Sequence, residues 1–239
     1  MTSIYQEIVS AKVNQKKLLA ILLDPEKISL TSIKPLCLSI KTSPATHIFI
    51  GGSTFNGSNL DKIISEIKKY CNLPILLFPG DYKQISNEAN AVLFLSLISG
   101  RNPEYLIDHQ INAVPILEKT NLEIIPTAYL LIESGTVTAV ERVSKTAPLK
   151  TNDIEHICKT AKAGEFLGNK LIYLEAGSGA QKAVPHEIIT AVSNKVNIPL
   201  IIGGGIRSLE AIQKTFDAGA DIVVIGTAFE NDNRFFKHD

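Results

Sequence analysis

Pro199 to Ala218 reads PLIIGGGIRSLEAIQKTFDA. A short apolar run is followed by a triple glycine, Gly203-Gly204-Gly205, and then by an amphipathic stretch from Leu209 to Ala218. The run is strand-length and apolar throughout, with no alternation, which suits a strand covered on both faces. The stretch after the glycines has helical spacing and suits the crossover that returns a chain to a parallel neighbour.

The same unit recurs along the chain. Leu18 to Leu23 (LLAILL), His47 to Ile50 (HIFI), Pro74 to Phe78 (PILLF), Ala91 to Leu95 (AVLFL), Ile124 to Ile132 (IIPTAYLLI), Leu171 to Leu174 (LIYL) and Ile222 to Ile225 (IVVI) are the other apolar runs. Asn59 to Tyr70 and Asp153 to Phe166 are further helical segments, the second with Ile154, Ile157, Cys158, Ala161 and Phe166 on one face. Regular alternation of this kind implies a parallel sheet. Eight units in 239 residues fit a (β/α)8 TIM barrel, which runs to roughly 250 residues as one domain. A doubly wound open sheet is the alternative, because periodicity does not show closure. The expectation is therefore an α/β chain forming a single (β/α)8 domain over residues 1–239. Two stretches break the rhythm. Residues 132–150 carry β-branched residues around Ser134-Gly135 and read as a hairpin-like insert. Asn102-Pro103 reads as a turn and helix start.

Composition narrows the function classes. Lys plus Arg and Asp plus Glu number 24 each, so no general attraction to nucleic acid or an anionic membrane is expected. The three cysteines, Cys37, Cys71 and Cys158, match no disulfide framework or zinc knuckle and read as reduced thiols of a cytoplasmic protein. Met1 to Gln15 has no leader-like apolar core. No apolar run reaches the roughly 18 residues of a membrane span, although contact with a membrane surface stays open.

Active sites of such barrels sit where the strands end. Asp24 ends the first strand in Leu23-Asp24-Pro25-Glu26-Lys27; it can hold Mg2+ or cap the turn that Pro25 begins. Gly51-Gly52-Ser53-Thr54 ends the second strand, offering close backbone approach and hydroxyls. Tyr173-Leu174-Glu175-Ala176-Gly177-Ser178-Gly179 ends the sixth, with a carboxylate and a tight glycine turn whose N–H groups suit a phosphate. Gly203 to Gly205 and Gly226-Thr227 end the seventh and eighth strands, where barrels of this type commonly grip phosphate. Arg207 can contact that phosphate or pair with Glu210, and the pair is favoured. His47, His109, His156, His186 and His238 show neither metal-ligand spacing nor a nucleophile partner and read as structural or solvated.

Together these motifs resemble the geranylgeranylglyceryl phosphate synthase family, which includes the bacterial heptaprenylglyceryl phosphate synthases. The matching stretches run from Leu23–Lys27 through Phe49–Ser53, Tyr173–Ala180 and Pro199–Ser208 to Gly226-Thr227, nearly the whole chain. The resemblance implies transfer of a polyprenyl group, geranylgeranyl foremost, from its diphosphate to the C3 hydroxyl of sn-glycerol 1-phosphate. It also implies Mg2+ at Asp24 and Ser53, and a homo-oligomer. The glycerol phosphate would lie on Tyr173, Leu174, Glu175, Ala176, Gly177, Ser178, Gly179, Gly203, Gly204, Gly205, Gly226 and Thr227. Glu175 would take the hydroxyl proton or align it. Tyr129 would shield the cationic allylic carbon or simply pack in the barrel wall. The tail would need an apolar groove near Phe78 and Leu97. One departure stands out: heptaprenyl-type members carry a Lys two residues before the Asp, and here that position is Leu22, leaving Arg207 or Lys27 to supply a cation. A metal-independent isomerase or lyase using Asp24 and Glu175 as an acid/base pair is the competing reading, and a non-catalytic sensor is a weaker one. An apolar groove favours the first and a small, wholly polar pocket the second; loss of Asp24 or Glu175 would favour the sensor, and both are present.

Overall fold

The computed structural model describes residues 3–53 and 59–237. Its strands are β1 (Leu18–Leu23), β2 (His47–Ile50), β3 (Ile75–Leu77), β4 (Ala91–Leu97), β5 (Glu123–Leu131), β6 (Leu171–Glu175), β7 (Leu200–Gly203) and β8 (Ile222–Ile225). They close into one barrel in sequence order, and β8 pairs in parallel with β1 through Leu18↔Ile222 to Ile21↔Ile225. That seam excludes the open sheet and gives the expected single (β/α)8 domain. The helices are α1 (Ile4–Val13), α2 (Ile33–Lys41), α3 (Leu60–Tyr70), α4 (His109–Leu117), α5 (Ala139–Ser144), α6 (Ile154–Phe166), α7 (His186–Ser193), α8 (Leu209–Asp217) and α9 (Thr227–Asn231).

The apolar strand residues divide by parity, as the two-residue strand period requires. Ala20, Phe49, Leu76, Leu93, Tyr129, Tyr173, Ile201 and Val224 fill the barrel. Leu19, Ile21, Ile48, Ile50, Ile172, Leu174, Ile202 and Val223 face the helices. Both sets are buried, which is why the runs do not alternate. The inner set also takes in Ile4, Ile8 and Ala11 of α1. Glu123 fastens that helix start, accepting from the Ser3 hydroxyl and the Ile4 N–H, both at 2.6 Å. α1 therefore stoppers the N-terminal end of the barrel, leaving the C-terminal end as the open mouth.

Two expectations change. No hairpin forms over residues 132–150. Ile132 makes a single parallel bridge to Leu149, and α5 lies between them, its N-terminus capped where Thr138 Oγ accepts the Glu141 N–H at 3.3 Å. Thr138-x-x-Glu141 is the sequence pattern of a capping box, and it outweighs the strand preference of the neighbouring β-branched residues. Phe166 is 80% exposed and lies outside the buried face of α6, with the Lys162 ammonium 5.1 Å from its ring. The Asn102-Pro103 turn does start a helix: a π-helical turn, Glu104–Asp108, runs directly into α4.

Candidate active site

One lip of the mouth is built from the ends of β1 and β2. Asp24 Oδ1 accepts the Glu26 N–H at 3.1 Å and caps the short 3-10 turn Pro25–Lys27. The same carboxylate leans over the β2 loop, so a methyl group on Gly52 would come within 2.9 Å of Oδ1. Ser53 lines the cavity beside it. Lys27 Nζ stands 3.5 Å from Asp24 Oδ2 and 2.8 Å from Glu230 of α9. Partial burial opposes the lysine's charge, but the hydrogen bond and attraction from Glu230, with Asp24 behind, raise its pKa above the ordinary value.

The opposite lip carries Glu175, the last residue of β6 and buried. Burial pushes its carboxyl up to about 7, while the Gly177 N–H and then the Tyr173 hydroxyl act to hold it down. The Gly177 N–H donates to Oε1 at 2.6 Å. The Tyr173 hydroxyl lies near the carboxylate without making a well-formed hydrogen bond to any described residue. Gly177 sits at φ +100° and Gly204 at φ +83°. A side chain at 204 would run into Glu175 Oε1 and come within 2.6 Å of the Gly177 amide. The turns after β6 and β7 are therefore pressed together, and only glycine fits between them. Gly226 completes the arc as the residue preceding α9; it lines the cavity with Thr227 and Ala228, and no side chain caps the helix's first turn.

Between the lips runs an apolar trench. Phe78 stacks on Tyr173 with ring centroids 5.1 Å apart, and Tyr129 meets Tyr173 edge-on at 5.3 Å. Burial, and then the nearby Glu175, push the hydroxyl pKa of both tyrosines well up, so they stay neutral phenols. Leu97, Tyr105, Ala113 and Leu117, with Val140 and Val143 of α5, line the same cavity, which measures about 240 Å³.

One cavity thus gathers Asp24, Ser53, Tyr129, Tyr173, Glu175, Gly177, Ser178, Gly179, Gly204, Gly205, Gly226 and Thr227. Leu174, Ala176 and Gly203 do not line it. Leu174 and Ala176 point into the strand–helix layer. The Ala176 N–H is already given to the Gly203 carbonyl at 3.0 Å. The bare Cα of Gly203 makes room for the Tyr173 hydroxyl and Glu175 Oε2. The expected Arg207–Glu210 pair is absent: Arg207 donates to the Ala180 carbonyl at 2.6 Å, and Glu210 pairs with Lys214. Leu22 lies against Gly226, so β1 offers methyl groups where a lysine would stand. Thr54 and His238 lie outside the described residues. His47 is buried at the start of β2 with its pKa pushed down to about 4 by burial and Lys16, and His156 and His186 are exposed. His109 lines the trench between Tyr82 and Tyr105. Glu230 was not expected in the site; its only sequence signal is its place one turn after Gly226.

The first lip carries the Asp24 carboxylate and Ser53 beside a glycine gap. These are donors that Mg2+ could use, since it takes one or two carboxylates and completes its shell with substrate phosphate oxygens and water.

A closed parallel barrel whose β6, β7 and β8 turns converge on one cavity, with a buried carboxylate and aromatic rings beside them, defines a barrel enzyme with one site at the C-terminal ends of its strands. The chain belongs to the PcrB family, whose model matches residues 11–238. It is 58% identical over 236 residues to a geranylgeranylglyceryl phosphate synthase of Flavobacterium johnsoniae, covering 99% of this chain and 97% of that one. It is 37% identical over 227 residues to the enzyme of the same name from Pyrococcus furiosus, covering 95% and 90%. The solved structure of (S)-3-O-geranylgeranylglyceryl phosphate synthase from Thermoplasma acidophilum, in complex with substrate sn-glycerol-1-phosphate, superposes with a TM-score of 0.93 at 31% identity over 99% of this chain and 95% of that one.

Proposed function

We propose that this protein transfers a polyprenyl group, geranylgeranyl foremost, from its diphosphate to the C3 hydroxyl of sn-glycerol 1-phosphate. The observation that carries this reading is the placement of Glu175, buried with a carboxyl near pH 7, between the glycine turns and the aromatic trench of one cavity. The relatives' names and the glycerol phosphate complex of the Thermoplasma enzyme support it. A metal-independent isomerase or lyase on a small phosphorylated substrate would have no use for the apolar lining that Phe78, Leu97, Leu117, Val140 and Val143 give this cavity.

The turns of Gly177–Gly179, Gly204-Gly205 and Gly226-Thr227 close round the phosphate of the glycerol substrate and hold it by backbone N–H groups other than that of Gly177, which is given to Glu175. Glu175 accepts the C3 hydroxyl proton as that oxygen forms its bond to C1 of the prenyl chain and the C1–diphosphate bond breaks. Tyr173 and Tyr129 keep the allylic carbon dry, and the face of the Tyr129 ring favours its cationic character. Asp24 and Ser53 would hold Mg2+, which when bound supplies Lewis-acid stabilisation of the departing diphosphate. The trench lined by Phe78, Leu97 and Tyr105 takes the chain. No helix among the described residues is long and apolar enough to cross a membrane; the lipid product then leaves by contact with a membrane surface. The free thiols Cys37, Cys71 and Cys158 agree with a cytoplasmic site of action, and assembly as a homo-oligomer goes with the family.

The test is incubation with labelled sn-glycerol 1-phosphate, Mg2+ and prenyl diphosphates of several lengths. Ether product is expected with this enantiomer. Product with sn-glycerol 3-phosphate alone, or none, overturns the assignment.

A further inference from the structure

Glu230 reaches across the seam of the barrel. It belongs to α9, one turn after Gly226, where its own N–H is bonded to the Gly226 carbonyl at 3.0 Å. Phe229 beside it is fully buried and fixes the helix. Glu230 Oε1 accepts the Asp24 N–H at 3.1 Å, and Oε2 accepts from Lys27 Nζ at 2.8 Å. The same ammonium stands 3.5 Å from Asp24 Oδ2. Lys27 is thus held closely by Glu230 and only loosely by Asp24. The side chain of Glu230 is 14% exposed and that of Lys27 53%, so the glutamate is the fixed partner and the lysine the adaptable one. Asp24 Oδ1 is spent on the Glu26 N–H, which leaves Oδ2 for any incoming cation. Without Glu230, the carboxylate three residues back on the same turn is the one already in reach of Lys27. The ammonium would then close onto Oδ2.

We propose that Glu230 is a positioning residue: it draws Lys27 aside and so keeps Asp24 Oδ2 open to the divalent cation that accompanies the diphosphate. This rests on the reading of the first lip as the metal–diphosphate side. Mere addition of negative charge by Glu230 would also favour a cation, but it would act whether or not Lys27 is present. Positioning acts only through Lys27.

A double-mutant cycle separates the two. Mn2+ binding to the full-length protein is followed by water-proton relaxation at saturating inorganic diphosphate, for wild type, Glu230→Gln, Lys27→Met and the double variant. Glu230→Gln is expected to raise the Mn2+ dissociation constant about fivefold or more when Lys27 is present and less than about twofold in the Lys27→Met background. Glu230→Gln changes the calorimetric affinity for sn-glycerol 1-phosphate by less than about twofold in either Lys27 background, because α9 keeps its place through Phe229. Equal losses in both backgrounds, no loss with Lys27 present, or a parallel loss of glycerol phosphate affinity each overturns the positioning role alone. Wild-type protein that takes up no Mn2+ overturns the metal reading beneath it.

Discussion

Glu175 Oε1 lies 2.6 Å from the Gly177 amide nitrogen, two residues further along the chain. The carboxylate thus turns back onto the first turn of its own loop, where the β7 loop closes over it. The bond favours the charged form, burial opposes it, and burial wins, leaving the carboxyl at about 7. A base poised there is half-ionised at neutral pH, where a general base is most effective. kcat/KM should rise with pH through about 7, and Glu175→Gln should lose roughly 10²–10⁴-fold in kcat, the range associated with a positioned base. A flat kcat/KM profile between pH 6 and 8 would remove Glu175 from this role.

The same shift makes a stability prediction of opposite benefit. The folded pKa, about 7, lies above the ordinary glutamate value of 4.5. The native state therefore binds the proton more tightly than the unfolded chain, and this contribution to stability is complete below about 4.5 and lost as pH rises through about 7. Its size is on the order of 3 kcal/mol. Glu175→Gln, which cannot ionise, should unfold at a higher temperature than wild type at pH 8 and at a similar one at pH 4. Thermal melts at the two pH values check this, and a variant less stable at pH 8 contradicts it.

Gly204→Ala tests the contact between the β6 and β7 turns. The added methyl would strike Glu175 Oε1 and crowd the Gly177 amide, and the positive φ strains any side chain. Glycerol phosphate affinity should fall at least about tenfold, with a stability loss of roughly 1–3 kcal/mol. Gly168→Ala makes a useful control. Gly168 also has positive φ (+90°), but no atom lies within 4 Å of its added methyl, so stability should fall while binding holds.

The barrel was legible because its strands, buried on both faces, are uninterrupted apolar runs; Leu18–Leu23, His47–Ile50 and Ile222–Ile225 keep their expected bounds. The rim residues Asp24 and Glu175 followed from strand ends alone. α5 was masked by Val137, Val140 and Val143, whose branching suits a strand, although Thr138 and Glu141 already held the capping signal. α1 was legible too, since Ile4, Ile8 and Ala11 stand at the i, i+4, i+7 spacing of a helix, but its place under the barrel was not, because nothing local ties Ser3 and Ile4 to Glu123. Glu230 was out of reach for a different reason. It stands 206 residues from Asp24 and 203 from Lys27, and only closure of β8 against β1 makes the three neighbours.

Asp24 has two jobs, and two substitutions separate them. Its Oδ1 caps the Pro25–Lys27 turn, and its carboxylate is the proposed metal ligand. Asparagine keeps an acceptor oxygen for the cap but loses the negative charge, whereas alanine loses both. Asp24→Asn should therefore melt within a few degrees of wild type, since Asn and Asp cap about equally well. Its Mg2+ requirement should rise steeply, with turnover at fixed Mg2+ down roughly 10²-fold or more. Asp24→Ala should show the same loss of turnover plus about 1 kcal/mol of stability from the missing cap. Calorimetry on the two variants, set beside Mg2+ titrations of their activity, resolves the roles. If Asp24→Asn keeps the wild-type Mg2+ dependence, the carboxylate only caps the turn, and the cation is held elsewhere on the rim.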